Sequence, residues 1–175
     1  MSTKAVATAH SIVGFTTCAC LLIFYAAGEP FGTINDIGNA ALGLLSLILA
    51  WLLPTSRVLV GVAAVGAVLT VVGTVLVVTG VTGYYLAGLW SSAGFALIGA
   101  WLVGSVRQVG RAGMVAGVLM LFGLIGVPGI FLGIDDLDTA PWWTFVAGFS
   151  WAGTYLLFPL WSLRLARQNR PERVG

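Results

Sequence analysis

Charged residues are scarce in this chain. Only 8% of its 175 residues are Asp, Glu, Lys or Arg, whereas 59% are hydrophobic and the mean hydropathy is +1.02. A soluble domain normally carries about 25% charged residues. So small a charged fraction cannot cover a water-facing surface. The composition therefore excludes an ordinary soluble domain and predicts that most of the surface faces lipid.

Histidine and cysteine, which often serve as catalytic residues or metal ligands, are also few. The chain has one histidine, His10, and two cysteines, Cys18 and Cys20. A single histidine cannot supply a bis-histidine site, so we expect His10 to bond to backbone or to a lipid headgroup. The cysteines point to different faces of a helix, which suits neither a disulfide nor a metal clamp. No nucleophile-elbow, zinc-protease or phosphate-loop motif occurs. We expect no catalytic residue, cofactor or metal, although an enzyme is not excluded.

Long apolar runs dominate the chain. Six stretches approach the ~20 residues that cross a bilayer. Lipid offers no partner to an unpaired backbone group, and the alternating pattern of barrel strands is absent, so these runs indicate helices. Short breaks between them predict that consecutive helices run antiparallel. The expected fold is all-α: one polytopic membrane domain over residues 1–175, built as three antiparallel hairpins with a basic tail at 164–175. The predicted helices cover about residues 6–27, 34–53, 58–79, 84–106, 112–133 and 142–163.

The charged residues are segregated in this predicted topology. All 8 basic residues fall on the side of the N-terminus, and 5 of the 6 acidic residues, all except Glu172, fall on the opposite side. Loops rich in Lys and Arg stay in the cytoplasm, so we expect a plasma-membrane protein with both termini inside. Basic residues at helix ends rather than on one face do not indicate a nucleic-acid partner. The basic residues are Lys4, Arg57, Arg107, Arg111, Arg164, Arg167, Arg170 and Arg173; the opposing acidic ones are Glu29, Asp36, Asp135, Asp136 and Asp138.

Tryptophans recur near the predicted helix ends. Trp51, Trp101 and Trp161 are each followed by an arginine 6 positions later. This spacing allows two interpretations: a threefold repeat of helix hairpins, or independent preferences of Trp for membrane interfaces and of Arg for cytoplasmic loops. The second is favoured, and it places these tryptophans at the cytoplasmic interface. Trp142 and Trp143 fit an interfacial belt on the opposite side.

Small residues follow helical spacing. Faces of Gly, Ala and Ser let helix backbones approach closely, which drives helix association in lipid. We expect these faces to pack mainly within the bundle, with docking to a second copy or to another membrane protein as the alternative. Pro128 and Pro159 are expected to kink the fifth and sixth helices. The spaced sets are Gly66, Gly73 and Gly80; Gly113 and Gly117; Gly129 and Gly133; Gly88, Ser92 and Ala96; and Gly148 with Ala152.

The most polar segment next to a predicted helix spans residues 28–39. Thr33 followed by Asp36 predicts a capping box on the second helix, which would give Asp36 a structural role. The alternative is a ligand or ion pocket that Asp36 shares with Asn39, one turn deeper, because polar residues in a membrane segment usually face a cavity or a partner. The candidate ligand-binding residues are Asp36, Asn39, Asn35, Glu29 and Asp135.

Three classes of function are compatible with these features. The first is binding or translocation of a small solute, ion or lipid through an outward-facing polar pocket at the start of the second helix. The second is a non-catalytic membrane subunit or assembly partner that docks through its small-residue faces. The third is a lipid-modifying enzyme, which needs an acid–base or metal pair that the sequence does not display. In each class the lipid bilayer is the expected surrounding partner.

Overall fold

The structure, a computed structural model, describes residues 2–168, and every secondary-structure element in that range is helical. The predictions for Arg170, Glu172 and Arg173 lie outside the described residues. Five helices are long and apolar enough to cross a membrane, and residues 142–168 form a sixth, less regular helical segment, which we call α6. The five helices are α1 (Thr3–Ala27), α2 (Phe31–Leu52), α3 (Arg57–Val78), α4 (Tyr84–Gly104) and α5 (Val106–Phe131).

The last two segments change helix type along their length. α5 passes through a 3-10 stretch at Leu121–Gly126, and α6 passes through a π-helical stretch at Ala152–Leu157. Proline lacks a backbone N–H, so Pro128 and Pro159 cannot donate to the carbonyls four residues before them, which lie within those stretches. The irregularities therefore occur where the prolines predict disturbed helices. Gly110, with φ of 69°, is non-helical and separates the first turn of α5 from the rest of the helix.

Small residues bring the central helices into close contact. A Cβ atom added to Gly94 on α4 would lie 2.6 Å from the carbonyl oxygen of Gly66 on α3. One added to Gly99 would lie 2.7 Å from the carbonyl oxygen of Gly117 on α5. A larger residue at either position would force the neighbouring helix backbone to shift, because that backbone occupies the space of a side chain. Gly88, which belongs to one of the predicted small-residue faces, does not make such a contact. A Cβ atom added there would have no atom within 4 Å.

The three tryptophans that share the Trp-x5-Arg spacing have different environments. Trp51 is 77% exposed, but Trp101 is fully buried, and the buried Trp161 donates its indole N–H to the carbonyl oxygen of Val109 at 2.8 Å. The expected interfacial position is therefore wrong for Trp101 and Trp161. The physical reason is that α4 lies inside the bundle, whereas the end of α2 lies at its edge. On the opposite side, Trp142 is exposed and Trp143 is half-buried.

The two ends of the bundle differ in charge. At one end, which we call the acidic end, Asp135 accepts a hydrogen bond from the backbone N–H of Gly83 at 2.8 Å. At the other, the basic end, the side chain of Gln108 donates to the carbonyl oxygen of Pro54 at 3.1 Å. The acidic end also carries Glu29, Asp136 and Asp138. Exposed cationic residues of the basic end are Lys4, Arg57, Arg107, Arg111, Arg164 and Arg167.

Large apolar side chains cover much of the surface between the two ends. Ile12, Val68 and Phe149 are among those that are more than half exposed. Exposed apolar patches on this scale are rare on soluble monomers and mark surfaces that contact other apolar material. Together with the length and composition of the five apolar helices, they are compatible with a helical bundle that lies in a membrane.

Candidate ligand-binding site

A cavity of about 290 Å³ opens near the acidic end of the bundle, between α1, α2, α4, α6 and the end of α3. Its size lies at the lower limit of typical small-molecule sites. Four of the five predicted site residues line it, namely Glu29, Asn35, Asp36 and Asn39. The structure does not bring Asp135 to this cavity. The other lining residues that carry a hydroxyl are Tyr25, Thr33, Tyr84, Ser91, Ser92, Ser150, Thr154 and Tyr155.

Glu29, rather than a pair of Thr33 and Asp36, caps the second helix. The Glu29 carboxylate accepts hydrogen bonds from the backbone N–H of Thr33 at 3.2 Å and from the Thr33 hydroxyl at 3.0 Å. The predicted capping box is wrong because α2 begins at Phe31, earlier than expected. Asp36 consequently lies in the second turn, beyond the free N–H groups of the helix start. Its carboxylate has no capping function.

A chain of hydrogen bonds forms the floor of the cavity. The Tyr155 hydroxyl donates to the side-chain oxygen of Asn39 at 2.7 Å. The Asn39 amide donates to the side-chain oxygen of Asn35 at 3.4 Å, and the Asn35 amide donates to the carbonyl oxygen of Thr17 at 3.1 Å. Since all three side chains are buried, this chain joins α6, α2 and α1 and fixes the orientation of both amides.

Several polar groups around the cavity have no protein partner. The half-buried Asp36 carboxylate makes no hydrogen bond or ion pair within residues 2–168, although its backbone carbonyl accepts one from the Thr74 hydroxyl at 2.6 Å. The buried hydroxyls of Ser150 and Thr154 also lack a partner in the described part of the chain. Buried polar groups in proteins are almost always paired. Two of the five buried side-chain atoms without a partner in the described residues, the Ser150 and Thr154 hydroxyls, therefore lie at this cavity, where they and the half-buried Asp36 carboxylate are available to water or to a bound solute.

The electrostatic character of the cavity favours positive charge. Two carboxylates, Glu29 and Asp36, line it, and none of the described lining residues is a Lys, Arg or His. Aromatic rings form part of the wall, with Phe24 lying 5.9 Å from Tyr84 between ring centroids. The faces of aromatic rings attract cations. Carboxylates and aromatic faces together are suited to a positively charged solute.

A second polar cluster lies two helical turns below the cavity floor. The cluster is centred on His10, which is fully buried. Its Nε2 atom lies 3.2 Å from the Ser46 hydroxyl oxygen, and its Nδ1 atom lies 2.9 Å from the Ser162 hydroxyl oxygen. The expected bond of His10 to backbone or headgroup is therefore wrong. The fully buried side chains of Leu42 and Phe158 lie between the two layers, and the Phe158 ring is 4.2 Å from the imidazole. This apolar layer closes the cavity toward the basic end.

The α6 contribution to the site could not be predicted from the sequence. Ser150, Thr154 and Tyr155 lie in an apolar run where Ser and Thr commonly bond to their own helix. A weak signal existed on α4, where Ser92 follows Gly88 by one turn, but that spacing also indicates helix packing. No protein family, curated protein or solved structure matches this chain. The function is accordingly inferred from the chemistry of the cavity.

Proposed function

We propose that the chain crosses the plasma membrane six times as three antiparallel hairpins, with both termini in the cytoplasm. The six exposed basic residues of the basic end support this orientation, because Lys and Arg near membrane segments are retained on the cytoplasmic side. The cavity at the acidic end then faces the exterior.

In this orientation the protein binds a small cationic solute from outside the cell. Asp36 pairs with the positive charge, and Asn39, held by Tyr155, orients the ligand. The observation that carries the proposal is the unpaired Asp36 carboxylate in a cavity whose Ser150 and Thr154 hydroxyls also lack partners. A cation bound together with water supplies what these groups lack: a countercharge for the carboxylate and hydrogen bonds for the hydroxyls.

Translocation of the solute requires a second conformation. In the present one, Leu42 and Phe158 block the way to the basic end. The π-helical stretch of α6 adjoins this block and carries Thr154 and Tyr155. Because π-helical segments are common at functional sites and disturbed helices surround the binding sites of many transporters, α6 is the element that would move.

The other two classes of function gain less support. The predicted small-residue faces, for which docking to a partner was the alternative, are largely used inside the bundle, as at Gly66, Gly73 and Gly117. A lipid-modifying enzyme would need an acid–base pair or a metal, and of the two carboxylates that line the cavity, Glu29 is engaged in capping α2.

Binding of tetramethylammonium to the protein in lipid nanodiscs, measured by equilibrium dialysis, tests the proposal. We expect Asp36→Asn to weaken binding about thirtyfold or more, because it removes one member of a desolvated charge pair while preserving side-chain volume. Asp138→Asn is the matched control: it also removes a carboxylate at the acidic end, but Asp138 does not line the cavity. Equal affinities for the two variants, or no binding by the unchanged protein, would contradict the proposal.

A further inference from the structure

A second cavity, of about 310 Å³, adjoins the first between α4 and α6. The two cavities share a wall, since Tyr25, Tyr84, Gly88, Ser92 and Trp151 line both. They are therefore neighbouring compartments of one site at the acidic end. A ligand too large for the first compartment can extend past these shared residues into the second.

The chemistry of the second compartment differs from that of the first. It is lined by apolar residues such as Leu89, Leu137 and Phe145, and none of its described lining residues is charged. The first compartment holds two carboxylates and the unpartnered hydroxyls. One compartment is therefore suited to a charge and the other to hydrocarbon.

Two glycines keep this space open. A Cβ atom added to Gly88, in the shared wall, or to Gly148, in the second compartment, would meet no atom within 4 Å. By contrast, one added to Gly94 or Gly99 would collide with the backbone of a neighbouring helix. Close helix packing therefore does not account for Gly88 and Gly148, whose lack of a side chain instead enlarges the cavity.

We propose that the site binds an amphiphilic cation, that is, a protonated or quaternary amine carrying an apolar chain or ring. The ammonium group lies near Asp36 in the first compartment, and the apolar part lies between α4 and α6 in the second. The rings of Tyr25, Tyr84 and Trp151 lie in the shared wall, beside the region where the two parts of the ligand join. This inference rests on the proposed function, because the ammonium group occupies the Asp36 cavity.

A series of alkyltrimethylammonium ions of increasing chain length tests the inference. Affinities are measured in nanodiscs against the free aqueous concentration, with protein-free nanodiscs correcting for uptake into lipid. We expect the affinity to rise about fourfold for each methylene group buried. Gly148→Leu should abolish this rise by filling the second compartment and should leave tetramethylammonium binding unchanged. The matched control is Gly61→Leu on α3, where an added Cβ also meets open space but no cavity is lined.

A second measurement uses the unchanged protein. Neutral hexanol should lower the apparent affinity for hexyltrimethylammonium, because the two compete for the apolar compartment, and should not affect tetramethylammonium. An equal rise with chain length in Gly148→Leu, or no effect of hexanol, would overturn the inference. If tetramethylammonium binds in an Asp36-dependent manner without any gain from longer chains, the inference fails and the proposed function stands. If no ammonium ion binds, both fail.

Discussion

Individual polar side chains in the bundle fall into a paired set and an unpaired set. Ser46 donates its hydroxyl proton to the carbonyl oxygen of Leu42 at 2.6 Å, so its oxygen can only accept from His10 Nε2. His10 Nδ1 then accepts from Ser162, which makes the imidazole neutral with its proton on Nε2. The lower cluster thus satisfies its own hydrogen bonds, whereas the hydroxyls beside the cavity do not.

This contrast predicts that replacing serine by alanine changes the stability of the protein differently at two positions of α6. Ser162→Ala leaves His10 Nδ1 buried without a donor, and we expect it to lower the free energy of unfolding by about 1 kcal/mol. Ser150→Ala removes a hydroxyl that has no partner in the described chain, and we expect it to be neutral or slightly stabilising. Unfolding titrations in mixed detergent micelles, without ligand, measure both. Equal destabilisation by the two variants would contradict the assigned hydrogen bonds.

Predictability from the sequence differs among these residues. Asp36 and Asn39 were recognisable because polar groups inside a membrane segment need a cavity or a partner. That Glu29 rather than Asp36 caps α2 was not recognisable. The choice between the two residues depends on where α2 begins, and a sequence predicts helix boundaries only to within a few residues. The hydrogen-bond partners of His10 were not recognisable from the sequence either. Ser46 and Ser162 lie 36 and 152 positions away along the chain, and serine in an apolar run usually indicates only a small helix residue.

Among the helices, α4 occupies the central position. In its most apolar 18-residue window, 67% of the residues are buried, compared with 28% for α3. This position explains why small residues are concentrated on α4 and why Trp101 lies in the core rather than at the membrane interface. The close contacts of α4 with α3 and α5 depend on backbone atoms, so neither neighbour can move aside without shifting a whole helix.

Glycine substitutions test this arrangement. Gly94→Ala places a methyl group where the carbonyl oxygen of Gly66 lies 2.6 Å away, and we expect it to lower the free energy of unfolding by about 1–3 kcal/mol. Gly61→Ala meets open space and should raise stability by about 0.5–1 kcal/mol through its higher helix propensity. Detergent unfolding of both variants provides the measurement. A neutral effect of Gly94→Ala would show that α3 and α4 are not in close contact.

The helices themselves followed closely from the sequence, because long apolar runs interrupted by Gly, Pro and charged residues leave few alternatives in lipid. The predicted start of α4 at residue 84 agrees with Tyr84 in the structure. The changes of helix type in α5 and α6 were less accessible. The prolines indicate where such changes occur, but the choice between a 3-10 and a π-helical stretch depends on packing against neighbouring helices.

At the scale of the whole molecule, the basic residues and the cavity lie at opposite ends of the bundle. The described Lys and Arg residues lie at the basic end, and the cavity opens near the acidic end, above an apolar layer. The charge pattern predicts the orientation from sequence alone. The cavity could be predicted only in part, because its α4 and α6 walls come from residues far from Asp36 in the chain.

Accessibility of a cysteine at Gly88 tests the central claim that this cavity faces the exterior and binds cations. Gly88→Cys is suitable because an added Cβ there meets open space, and Cys18→Ala and Cys20→Ala remove the native thiols. The reagent is a membrane-impermeant trimethylammonium thiosulfonate applied to intact cells. Val106→Cys, exposed at the basic end, serves as the control and should react only after the membrane is opened. We predict that Gly88→Cys reacts in intact cells and that tetramethylammonium slows the reaction. Reaction only after the membrane is opened would contradict the account.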